Sequence, residues 1–349
     1  MAITADQTDH TIKTYRYLRI TIVGVSVALL LGVFLDYLNR GELETSISAY
    51  YYTEIRSLFV GALVMMGASY VAIRGTNNLE EVVLNLTGMM APIVAFVPTA
   101  RSSAPEVPLL NANVWATMGA VVMTVAMLVA MGRSRSASSG EGGSPAKSRR
   151  LRYAAIVLAV VVVAGFVAAD NVWGQRATHW LAAVVFIAGL WAVTTGNALR
   201  SIQLDGESSP SRQLLGTVAG GVGIVLGPLA FWVGSCRVVD EVQASALMMM
   251  AIGALVVVVT LVWLRPGMKR FFGVLRHGDR YTRPYLVISL VMLTIGPFLW
   301  LVPFEWDHRV FFVELSELIP FAVFWLIQTY EHWDDGVRPH DSPILQVFY

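Results

Sequence analysis

Two acids interrupt an otherwise apolar run near the end of the chain: Glu314 and Glu317 in "VFFVELSELIPFAVFWLIQTYEHW", Val310 to Trp333. Three residues apart, they share one face of a helix. At 100° per residue, Gln328 and His332 fall within ~60° of that face, so a polar stripe runs along the segment. A carboxylate placed in hydrocarbon costs several kcal/mol unless it is neutralised, paired or hydrated, so such groups face a bundle interior or a cavity. Placed there, they exchange protons, bind a cation or act as a general base. Pro320, one turn on, is expected to bend the helix or free a carbonyl beside the stripe.

A second polar stretch, "SISAYYYTEIRSLFVGAL", runs from Ser46 to Leu63 just ahead of an apolar run. Ser46, Ser48, Tyr50, Tyr51, Tyr52 and Arg56 are its chemical groups. Arg56 is the expected ion-pair partner of Glu314 or Glu317. Tyrosines at a membrane boundary also form aromatic belts, and Ser or Thr ahead of an apolar run also reads as a helix cap. Three consecutive tyrosines on a helix cannot all face lipid, so at least one is expected to point inward. Asp170, His179, Glu305, Asp307 and His308 fall on the same predicted side as a second tier of oxygen and nitrogen donors. None of them shows a recognised ligand spacing, so no metal is expected. One cysteine, Cys236, excludes an internal disulfide. There is no phosphate loop, nucleophile elbow, zincin or dinucleotide fingerprint, and no paired histidines for haem, so no cofactor is expected.

The elements that must position these groups follow from composition. The chain has 349 residues, 56% hydrophobic and 14% charged, with a mean hydropathy of +0.61. Soluble domains carry roughly 25% charged residues. The deficit predicts an all-α, polytopic integral membrane helix bundle. Ten apolar runs reach crossing length, near 17–36, 57–73, 82–99, 113–132, 153–170, 179–199, 213–234, 244–264, 284–303 and 310–330. Their length without period-2 alternation means helices. The first run ends in Val33-Phe34-Leu35-Asp36-Tyr37, not a small-residue cleavage site, so it is read as an uncleaved span.

Basic residues set the orientation. Of 25 Lys and Arg, six (Arg40, Arg56, Arg101, Arg176, Arg237 and Arg309) fall outside if the N-terminus is inside, leaving 25 − 6 = 19 inside. The positive-inside rule then puts both termini in the cytoplasm, in a plasma-membrane protein. A net charge of +1 argues against a nucleic-acid partner; membrane lipids are the expected surroundings.

Organisation reads as a four-span part (1–132), a linker (133–152), a six-span part (153–330) and a cytoplasmic tail (331–349). The linker is Ser/Gly-rich and basic, and is expected to be a disordered tether. No internal repeat relates the two parts. The loop "RPGMKRFFGVLRHGDRYTRP" mixes bases with Phe271, Phe272, Val274 and Leu275, as a short interfacial anchoring helix would. Gly216-xxx-Gly220 and Gly223-xxx-Gly227 predict close helix packing. Trp191 reads as a lipid-facing or packing residue.

The stretch "SISAYYYTEIRSLFVGAL" followed by "GASYVAIRG" resembles an uncharacterised family of bacterial multipass membrane proteins with a Ser-x-Ser-x-Tyr-Tyr-x-Thr, Arg, Phe-Val-Gly pattern. The resemblance covers about residues 44–99 and implies a shared fold. A more distant likeness is to alkaline ceramidases and adiponectin-type receptors, membrane hydrolases whose Ser-x-x-x-His and later His-x-x-x-His motifs hold zinc. Ser48 matches the serine, but Tyr52 stands at the histidine position. Gln328 and His332 match only half of the later pair, so that zinc set is incomplete here.

The functional expectation is an outer-side polar cavity lined by Tyr50, Tyr51, Tyr52, Arg56, Glu314 and Glu317 that takes a small polar or lipid-derived ligand. The favoured class is a transporter of a small solute or ion coupled to carboxylate protonation. The alternatives are a membrane enzyme acting on a lipid or envelope precursor, and a non-catalytic assembly or regulatory subunit.

Overall fold

The computed structural model describes residues 5–73, 75, 78–97, 99, 119, 172–200, 210–240, 244–302 and 306–333. Among them all regular structure is helical: α1 (Ala5–Arg40), a 3-10 helix (Ile47–Tyr52), α2 (Arg56–Ala72), α3 (Asn78–Phe96), α4 (Val172–Ala198), α5 (Pro210–Asp240), α6 (Ala244–Val262), α7 (Arg265–His277), α8 (Thr282–Leu301) and α9 (Arg309–Glu331). Eight of the ten apolar runs lie on these helices. The run at 113–132 (apart from Gly119), the run at 153–170, the linker and Asp170 and Glu305 lie outside the described residues. Five helices (α1, α4, α5, α8 and α9) are long and apolar enough to cross a membrane. The run at 244–264 is α6, which ends at Val262, and the loop expected to hold a short helix forms α7, which leaves α6 at 82°. Pro266 in the first turn of α7 suits the restart, because its missing N–H costs no helical hydrogen bond there. Counted as one broken crossing, this pair makes six. α2 is shorter, at 17 residues.

The chain forms two compact units. The first takes residues 1–26, 43–47 and 190–349; the second takes 27–42 and 48–189. In the first, α5 and α6 form an antiparallel pair held at backbone distance by glycines. A Cβ at Gly223 would meet Thr260, one at Gly227 would meet Val257, and one at Gly234 would meet Met250. The first glycine pair of α5 faces elsewhere, since a Cβ on Gly220 would lie 2.7 Å from the Met268 nitrogen of α7. α8 and α9 pair antiparallel, with Tyr285 packed on Phe324 at 5.1 Å between ring centroids. In the second unit, α2 and α3 cross at Gly67 and Gly88, where a Cβ on either would come within 2.6 Å of the other's carbonyl oxygen. Small residues make such crossings possible where lipid supplies no hydrophobic drive between helices.

Candidate functional site

α9 carries the acids, and its N-terminal half makes polar contacts with two other segments of the first unit. The segment Leu43–Ile47 runs beside the start of the helix. The Phe311 N–H donates to the Thr45 carbonyl at 3.0 Å, and His308 Nδ1 lies 3.3 Å from the Glu44 carbonyl oxygen. The Ile47 N–H donates to the Glu314 carboxylate at 2.5 Å. Ile47 opens the 3-10 helix, where an N–H has no acceptor in its own helix. Glu314 supplies that acceptor and adds negative charge at the favourable end. Glu44 and Ser46 are buried in the same segment.

Glu317 sits deeper, eight residues into the helix and so roughly 12 Å from its start at 1.5 Å per residue. It is 2% exposed. Trp191 of α4 donates its Nε1–H to Oε2 at 2.6 Å. The other oxygen, Oε1, has no hydrogen-bond partner among the described residues. It faces the backbone of α8 at Gly296, where an added Cβ would lie 2.2 Å away. Three helices therefore build the niche: α9 brings the acid, α4 one donor, and α8 a residue small enough to leave room. With one oxygen anchored and one open, the group can donate a proton from Oε1 when neutral. Ionised, it can accept a cation there.

The polar stripe continues to the far end of α9, where Gln328 and His332 are buried. Arg200, just past the end of α4, pairs with Glu331 at 2.6 Å, each side chain 10% exposed. The Tyr285 hydroxyl donates to the same carboxylate at 2.6 Å, and the guanidinium lies 5.5 Å from the Tyr285 ring centroid. Arg200 also reaches Asp279 at 3.4 Å. Burial drives the Asp279 carboxyl up, but hydrogen bonds from Thr282, the Arg200 charge and the Tyr281 N–H outweigh it and hold the group below its ordinary value. Arg16 of α1 donates to the Trp333 carbonyl and lies over that ring at 4.9 Å. The cluster ties together the ends of α4, α8 and α9.

Most of the tyrosine-rich stretch belongs to the second unit. Tyr50 and Tyr51 are buried there, with Ser48, and Tyr52 is half-buried. The Tyr52 hydroxyl donates to the Thr99 carbonyl at 2.8 Å. Arg40 pairs with Asp36 and lies 6.0 Å from the Tyr50 ring centroid. Arg56 donates to the Tyr51 hydroxyl and stacks on its ring at 4.0 Å. Arg56 therefore engages Tyr51 within the second unit, and within the first Glu317 takes the Trp191 indole.

Of the second tier, His179 is buried with Nδ1 2.6 Å from the Val97 carbonyl oxygen. Asp307 is exposed and His308 half-buried. Among the described residues no group of three His, Cys, Asp or Glu side chains is placed to hold a metal. Sequence reasoning missed Trp191, Gly296, Arg200 and Tyr285. Arg200 had a signal, a base at the end of an apolar run. Trp191 and Gly296 had none, since each is unremarkable in its own span and acquires meaning only opposite Glu317. Comparison with protein-family profiles, with curated proteins and with solved structures finds no match.

Proposed function

We propose that the chain is an integral membrane protein that carries a small solute or ion, with Glu317 as the group that takes up and releases the coupled proton or cation. The observation that carries this reading is the half-satisfied carboxylate. A buried acid kept only for structure would have both oxygens engaged, because an unsatisfied charged group in a low-dielectric interior is costly. One indole donor orients Glu317, and the absence of a Cβ at Gly296 leaves room for the other, buried oxygen. The excess of basic residues on one set of loops orients both termini to the cytoplasm. In that orientation Glu317 lies in the outer half of the bilayer. Glu314 pins the Leu43–Ile47 segment against the outer end of α9.

The test uses proteoliposomes holding a trapped pH dye and given an inward proton gradient, with amino acids, sugars and organic or inorganic cations added in turn. At least one solute should accelerate collapse of the gradient. Glu317→Gln should abolish that acceleration, while Glu81→Gln preserves it. Solute-dependent proton entry that is identical in Glu317→Gln would reject Glu317 as the coupling group. No acceleration by any solute would reject proton-coupled transport.

A further inference from the structure

α7 has three distinct faces, and among the described residues only one of them is buried. Gly267, Phe271 and Val274 are buried, and the Gly267 backbone abuts the Gly216 carbonyl of α5. Stepping 100° per residue around the helix, Phe272 and Leu275 lie next to this face on one flank, and both are exposed. Beyond them Arg265, Lys269 and Arg276 fall within ~40° of one another on a third, exposed stripe. Among the described residues no acidic side chain engages any of these three cations. Trp263, 80% exposed, stands at the bend between α6 and α7.

The angle decides what covers these faces. α6 is one of the apolar helices, and Leu255, Val258 and Val262 on it are exposed. A helix leaving it at 82° lies in the membrane plane if α6 crosses the bilayer. α7 also crosses the N-terminal end of α5, which is the end that meets the C-terminal end of α6 in their antiparallel pairing. It therefore lies at the boundary of the bundle. A helix held there, with an apolar flank beside a basic stripe, matches acyl chains on one side and headgroups on the other. A protein partner would need its own acids opposite the bases and its own pocket for Phe272 and Leu275. A leaflet supplies both at once.

We infer that α7 is a binding surface for anionic phospholipid, with Phe272 and Leu275 in the acyl boundary and Arg265, Lys269 and Arg276 gathering phosphate headgroups. This goes beyond the transport reading and does not depend on it. Interfacial bases each attract anionic lipid by about 1 kcal/mol, a factor of about five in binding.

The test is lipid retention by the purified full chain from equimolar phosphatidylglycerol and phosphatidylcholine, read by native mass spectrometry. The parent should retain phosphatidylglycerol in preference, and added salt should weaken that preference. Arg265→Gln, Lys269→Gln and Arg276→Gln should each lower it about fivefold. The charge-keeping pair Arg265→Lys with Arg276→Lys should preserve it, which separates lost charge from lost folding. Equal retention of both lipids by the parent would overturn the inference. So would a preference that survives all three Gln substitutions or is indifferent to salt.

Discussion

Trp191 and Glu317, on different helices and 126 positions apart, meet in one 2.6 Å hydrogen bond from indole to carboxylate. The bond explains how an acid persists in an apolar segment with no cation beside it among the described residues. It also fixes which oxygen is free, and Gly296 is the residue that keeps that oxygen from being crowded.

The role of Gly296 is testable by substitution. An alanine there would put Cβ 2.2 Å from Glu317 Oε1, so the carboxylate must swing away from Trp191. We expect Gly296→Ala to cost about 1–3 kcal/mol by overpacking. Shortening the acid makes room again, so Gly296→Ala with Glu317→Ala should be far less destabilised than the sum of the single changes. Denaturation of the four proteins in detergent measures the cycle. Simple additivity would mean the two residues do not touch.

Glycines in α2 should respond oppositely to the same change. Gly67 faces the Gly88 carbonyl, which a Cβ would approach to 2.6 Å, whereas a Cβ on Gly61 meets nothing within 4 Å. Backbone cannot rotate out of the way as a side chain can. Gly67→Ala should therefore lose about 1–3 kcal/mol. Gly61→Ala should be neutral or gain up to ~1 kcal/mol from helix propensity. Thermal unfolding in detergent distinguishes them, and equal shifts would contradict the crossing.

Acid should loosen the cluster at the far end of α9 through Asp279. Its folded value is depressed, so its contribution is fully present above its unfolded value and is lost as the pH falls through the folded one. Stability should decline as the pH drops below about 4. Asp279→Asn should flatten that decline and leave neutral-pH stability little changed, since the side chain is 53% exposed. An unaltered acid limb in Asp279→Asn would remove Asp279 as its source.

Much of the helical architecture is legible in the residues, for a simple reason: apolar runs of crossing length have no alternative fold in lipid. The i, i+3 spacing of Glu314 and Glu317 likewise predicts a shared face, and the burial of Glu317, Gln328 and His332 lies along it. What spacing does not show is the partner. Arg56 was the expected one because it falls on the same predicted side and a cation would offset the desolvation of a buried acid. Glu317 instead takes a neutral donor, Trp191, whose role depends on α4 and α9 running parallel at that depth. The bend after Val262 had a written cue in Pro266. The short helix that follows was legible as well, in a loop that mixes bases with Phe271, Phe272, Val274 and Leu275.

The two glycine sets on α5 have a mechanical consequence. Gly220 meets α7 and Gly223, Gly227 and Gly234 meet α6 at near-backbone distance, so few side-chain torsions remain between these three elements to absorb a displacement. They behave as a single stiff plate. With α7 in the leaflet as inferred above, a lateral pull on it would be passed to α5 and α6 together.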